Sequence, residues 1–298
     1  MKSKQTPFEV LLESTCCCYS KDIINNLPKI DDFPSYITNL DNKVICDHLK
    51  LIDNNSNVFF KSVTLRLIAI CELRNARDLG IKVDVKKLWN LIAESILILP
   101  INAIISSIGS QGFLSIPLFK YEVDKGEIDF IRLHIWDNSL SKYFQFETYE
   151  NFSIHSHSFY AESWIVYGSI INERFKVEIS DVPSGFSLFK IEYNKTLNEL
   201  NRHTSSANNT NRFVTISKTS HEKYEVDGNY VVKEGDFHKS SSEGDSGLSA
   251  TLFSFCAHKG KVDHSYVIGP SHLMTSEINR KIQIDPTDLI NRINEKLI

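Results

Sequence analysis

Three histidines carry the features of this sequence best suited to chemistry. His155 and His157 stand two apart in Ile154-His155-Ser156-His157, with Glu162 and Gly168 following. On an extended chain such positions face the same way, so both imidazoles reach one ion. Neutral imidazole is the commonest protein ligand for zinc, iron, nickel and copper, so the pair is half of a metal site. His238 ends a second stretch that runs from Gly228 through Tyr230, Val232, Gly235 and Asp236. That stretch reads as a strand, a tight Gly235-Asp236 turn and a histidine opening the next strand.

The elements around these residues change character along the chain. From Asn57 to Leu79, the positions Val58, Val63, Leu65, Leu67, Ile68, Ile70 and Leu73 are too crowded for strict alternation and predict a buried helix stopped by Gly80. Asp84 is placed to cap a second helix through Leu88, Leu91, Ile92 and Ile96, ended by Pro100, and Ser35 to Leu51 is read as a further helical segment. After Gly109 the period falls to two: Ile131, Leu133 and Ile135 share one face of a strand, Arg132 and His134 the other. Arg132 and His134 are either a solvated face or contacts for an anionic substrate. Short β-rich runs follow at Trp164–Tyr167, Phe175–Ile179, Phe186–Tyr193, Phe213–Ser217, Tyr224–Val226, Tyr230–Val232 and Ser249–Cys256. Such spacing predicts a sandwich or barrel. Polar Asn194–Asn211 is expected to be a long loop, and Asp285-Pro286 opens a terminal amphipathic helix through Leu289, Ile290, Ile293 and Leu297.

With the strands and both histidine stretches in view, the sequence resembles the cupin superfamily. His155, His157 and Gly168 match its first motif; Gly228, Gly235, Asp236 and His238 match its second. The chain has Glu234 where the family often has proline, and Ser242 where it often has asparagine. With the helical readings above, the expectation is an α+β chain: an N-terminal helical region (residues 1–110), a barrel (111–275) that the resemblance implies to be a cupin-type double-stranded β-helix or jelly roll, and a C-terminal helix (276–298). The resemblance also implies one divalent transition metal on His155, His157 and His238. Counted from His157, Glu162 falls in the window of the family's acidic ligand; counted back from Gly168, that place belongs to Ala161. With Glu162 bound, the site resembles the germin-like three-His, one-carboxylate set. Without it, the site is similar to that of thiol dioxygenases, which hold ferrous iron with three histidines. The expectation is a mononuclear non-haem iron dioxygenase acting on a small molecule, Fe(II) being preferred to Mn, Ni or Zn. The alternatives are a metal-dependent isomerase or lyase, or a non-catalytic ligand-binding or sensory cupin. A homodimer is compatible with the resemblance.

Composition narrows the classes further. Of 298 residues, 42% are hydrophobic and 23% charged, the balance of a soluble globular chain. A net charge of −4 gives no basic footprint, so no nucleic-acid partner is expected. Ser95–Ile108 is short and interrupted by Pro100, so no membrane span is expected and the protein is read as cytoplasmic. The six cysteines, three of them consecutive at Cys16–Cys18, lack a C-x-x-C pair and are read as buried free thiols. Tyr160, Trp164 and Tyr230 are candidates to line a pocket, while His203, His221, His258, His264 and His272 are read as surface residues.

Overall fold

The computed structural model describes residues 6–38, 40, 42–52, 57–108, 112–123, 127–143, 150–193, 203–243, 247–280 and 283–297. The chain divides into two compact units. The first holds residues 1–105, 117–132 and 285–298; the second holds 106–116 and 133–284.

Among the described residues, six α-helices belong to the first unit: α1 (Pro7–Cys16), α2 (Ser35–Thr38), α3 (Asn42–Leu49), α4 (Val58–Leu79), α5 (Val85–Leu97) and α6 (Thr287–Leu297). Their ends follow from capping. Thr6 and Glu9 form a reciprocal capping box on α1, and Asn57 Oδ1 accepts from Phe59 N at 2.8 Å at the start of α4. Gly80 ends α4 at φ 67°, a left-handed conformation that suits glycine. Asp84 Oδ1 accepts from Lys87 N at 2.9 Å and starts α5 where the sequence placed it. Trp89 Nε1 donates to Asn294 Oδ1 at 2.7 Å and ties α5 to α6. Two arginines of α4 meet one carboxylate: Arg77 Nη1 and Nη2 donate to Asp129 at 2.6 and 3.0 Å, and Arg74 Nε donates to it at 2.8 Å. No described helix is long and apolar enough to cross a membrane.

The strands form two antiparallel sheets. One has the order β1 (Ser107–Ile108), β2 (Leu114–Val123), β3 (Glu127–Trp136), β10 (Ser249–Lys261), β4 (Phe159–Tyr167), β8 (Asn229–Val232). The other has the order β11 (Tyr266–Pro270), β6 (Phe186–Tyr193), β7 (His203–Glu225), β5 (Ser169–Ser180), β9 (Phe237–Ser242), with β12 (Thr275–Arg280) also on β7. Both sheets are open. Their inner faces share an apolar cluster in the second unit, with Trp136, Ala161, Ile165, Tyr230 and Phe253 from the first sheet and Ile170 from the second.

Two expectations are corrected. From His203 onward the polar stretch is not loop but the start of β7, paired to β6 and β12; its residues 194–202 lie outside the described set. Its ladder satisfies the backbone whatever the side chains; Ser205 and Ala207 are buried, and Ala207 packs with Phe189 and Val267. The six cysteines are free, but of the consecutive three Cys17 is exposed and Cys16 half-buried where α1 ends, and only Cys18 is buried.

Gly168 joins β4 to β5 at φ 72°. A Cβ built there would meet Ser249 Oγ and stand 2.6 Å from Leu248 O. Gly168→Ala is therefore expected to cost about 2–4 kcal/mol, from left-handed strain plus overpacking. Urea unfolding checks it, and an unchanged midpoint would contradict the close approach.

Candidate metal centre

The segment 152–158 is extended but belongs to no long ladder; individual contacts pin it. Phe152 packs edge-on to Phe189, ring centroids 5.3 Å apart. Ile154 O accepts from Ile268 N at 2.9 Å, and Ser156 N donates to Tyr266 O at 2.7 Å. His155 forms single-residue antiparallel bridges to His238 on β9 and to Val267 on β11. His155 N donates to His238 O at 3.0 Å and His238 N to His155 O at 2.9 Å. That mutual exchange defines a hydrogen-bonded cross-strand pair, whose side chains leave on one face. His157 follows two residues on, and its carbonyl accepts from Gly235 N at 2.8 Å. The Gly235 turn, at φ 82°, is thereby fastened to the second histidine.

The three rings converge. Centroid separations are 4.7 Å for His155–His157, 4.4 Å for His155–His238 and 4.9 Å for His157–His238. One nitrogen from each lies within 4.8 Å of the others, so the cluster could hold a metal ion. Its electrostatics suit a cation. Burial lowers the His155 pKa to about 4, partly resisted by a hydrogen bond to Ser153 O. His238 is held well below its ordinary value by burial, then by the neighbouring His155. Both rings are thus neutral near pH 7, the form that binds metal. The carbonyl of Ser153 can only accept, so His155 Nδ1, at 3.1 Å, carries the proton and leaves Nε2 for an ion. The backbone of Asp236 partly resists the fall for His238 as Ser153 does for His155. Three converging imidazoles, two of them held neutral, are a donor set that fits a divalent cation.

The same numbers predict a pH response of the metal-free protein. An imidazole with a folded pKa of about 4 and an unfolded value near 6.5 leaves stability intact above 6.5, and stability falls as the pH drops from 6.5 towards 4. The expected slope is about 1.4 kcal/mol per pH unit for each such histidine. Chemical denaturation from pH 7 to 4.5 measures it, and His155→Asn should flatten the curve.

Glu162 is not brought to the cluster. On β4, Ala161 and Ile165 join the inner apolar cluster, so alternation sends Glu162 to the other face. There Asn229 Nδ2 donates to its Oε1 at 2.8 Å, and Tyr160 OH lies 3.5 Å from Oε2. Tyr160 and Trp164 share that outer side, whereas Tyr230 is inside with its hydroxyl 3.1 Å from Ser240 Oγ. Glu162→Gln is accordingly expected to leave metal stoichiometry and affinity within about two-fold of wild type, since the change falls on the face of β4 away from the imidazoles. Equilibrium dialysis reads this directly, and a larger loss would return Glu162 to the ligand set.

Other residues near the cluster were less visible in the sequence. Phe253 and Phe255 on β10 flank His157, at centroid distances of 5.8 and 4.8 Å. His134 is not on a solvated face: it is buried and stacked on Phe113 at 4.1 Å and on Phe253 at 5.1 Å. Arg132 lies over the Phe130 ring at 4.1 Å, in the first unit. His221, His258, His264 and His272 are exposed as expected; the side chain of His203 lies outside the described set.

Fold and site together define a class: an α+β chain whose antiparallel two-sheet unit carries a three-histidine cluster able to hold a metal ion. No protein-family model matches the sequence, and no curated protein is significantly similar to it.

Proposed function

We propose that the chain is a cupin-type metal enzyme, a mononuclear non-haem iron dioxygenase acting on a small molecule. The observation that carries this reading is the convergence of His155, His157 and His238 with Glu162 turned away, a three-imidazole set without a carboxylate. The order of the two histidine stretches and the paired antiparallel sheets support a jelly-roll cupin as the scaffold, similar to the thiol dioxygenase type. When bound, ferrous iron would supply the electron chemistry that lets dioxygen react with a closed-shell substrate.

The chain's own residues perform the rest. Cross-strand pairing of His155 with His238 fixes two imidazoles before any ion arrives. Three neutral donors leave a divalent charge uncompensated, which favours a substrate group that gives up its proton on binding. Phe253 and Phe255 shield His157 from bulk water.

Metal analysis of protein purified without chelator, followed by oxygen uptake by the ferrous form with small thiols and uncharged chelators, tests the reading. Close to one equivalent of metal and oxygen consumption matched to product are expected. Less than about 0.1 equivalent of any transition metal, unchanged by refilling, removes the metal centre. Bound metal without oxygen uptake replaces the dioxygenase by a Lewis-acid isomerase or lyase, or by a non-catalytic sensor.

A further inference from the structure

Buried polar groups nearly always find partners, so those that do not mark places where something else belongs. Several lie in the second unit, which also holds the histidine cluster. Trp136 Nε1, Asn172 Nδ2 and Thr251 Oγ1 are buried and meet no hydrogen-bond partner among the described residues. Asn172 and Thr251 are wholly inaccessible, and Trp136 is 5% exposed. All three belong to inner faces. Trp136 is part of the shared apolar cluster. Asn172 lies two residues from Ile170 on β5, and Thr251 two residues from Phe253 on β10, both cluster members. Asn172 is the cross-strand partner of Ser240, which follows His238 by two residues on β9. Asn172 and Ser240 are therefore one strand repeat, about 7 Å, from His238 along the sheet.

The chemistry of this inner layer leans towards donation, although the hydroxyls of Thr251 and of Ser163, which shares the inner face of β4 with Ala161 and Ile165, can also accept. Ser240 Oγ lies 3.4 Å from Asn172 Oδ1 and donates to it, which uses the amide oxygen and leaves the NH2 over. The indole N–H can only donate. Arg174, the cross-strand partner of His238, is already committed to Val231 O at 2.6 Å and to Glu222 and Asp236 at 3.6 and 3.9 Å. A carboxylate buried against such donors would lose hydration without gaining a counter-charge, whereas a neutral oxygen would be satisfied. Phe253 and Phe255 offer flat apolar walls.

We propose that this layer is the recognition end of the site. It takes an uncharged, planar, oxygen-bearing molecule whose chelating end faces the three imidazoles and whose far oxygen accepts from Asn172 Nδ2 and Trp136 Nε1. The inference rests on the metal-centre reading above and adds the substrate class.

Kojic acid and allomaltol are the probes: hydroxypyranones with the same chelating end, of which only the first carries a hydroxyl on the far ring substituent. Titrated into cobalt-loaded protein and followed by visible absorption, kojic acid should bind wild type about ten-fold more tightly. Asn172→Leu should abolish that preference while keeping full metal content and the affinity for allomaltol. Trp136→Phe is the second variant should Asn172→Leu not fold. A readout free of metal and ligand is Thr251→Val, which removes an unsatisfied hydroxyl at constant shape and should raise the Tm of the metal-free protein by about 2–4 °C. Equal binding of both probes by wild type, or a lower Tm for Thr251→Val, overturns the proposal. Failure to take up any metal overturns the metal-centre reading instead, and the Thr251→Val shift still decides whether the inner layer is built for a ligand.

Discussion

Replacing His238 by alanine is expected to lower metal affinity at least 100-fold and to bring occupancy below about 0.1 equivalent at micromolar metal. The imidazole is buried, neutral at pH 7, and stands 4.4 and 4.9 Å from the other two rings, centroid to centroid. Its backbone contribution, the reciprocal hydrogen bonds with His155, survives in alanine. The loss is therefore chemical and not a loss of fold, and an unchanged circular dichroism spectrum verifies that. His155→Ala should behave alike, because its ring is the other half of the same pair. Equilibrium dialysis with cobalt or zinc measures both, and wild-type occupancy in either variant would remove the cluster from consideration.

The largest effect on stability should come from Asp129→Ala, at about 3–5 kcal/mol. The carboxylate takes two hydrogen bonds from Arg77 and one from Arg74. The Arg77 side chain is 1% exposed, so losing Asp129 takes the bidentate partner from a buried guanidinium and leaves it Asp78 Oδ1, at 2.9 Å, on Nε. The cost arises from that uncompensated charge more than from the pair's net worth. Asp129→Asn keeps acceptor geometry without charge and should fall between the two. Urea unfolding followed at 222 nm reports on the helices of the first unit. Metal stoichiometry, a property of the second unit, should stay unchanged. A midpoint corresponding to less than about 1 kcal/mol would show that solvent reaches Arg77 easily.

How much of this was legible beforehand depended on whether the signal was local. Asn57, Gly80 and Asp84 announce helix ends because capping is settled within a few residues. Phe186–Tyr193 was readable as a strand for a similar reason, and it coincides with β6. His155 and His157 were legible because a spacing of two on extended chain has one geometric meaning. The first part of β7 was not, since its polar side chains hide a ladder that depends on distant β6 and β12. The side taken by Glu162 was ambiguous from sequence because two counting origins disagreed by one residue; the packing of Ala161 and Ile165 on the inner cluster decides it. Asp129 between Arg74 and Arg77, and Asn172 beside Ser240, join partners far apart in sequence, and no local pattern marks such meetings.

The backbone exchange between His155 and His238 also bears on which ion the chain carries. Main-chain bonds hold two of the three imidazole-bearing residues at a fixed spacing, so an ion entering the cluster would meet the chain's geometry and could not impose its own. Under the proposed reading, cations whose preferred coordination matches that geometry would be retained, and supply would decide among those that match.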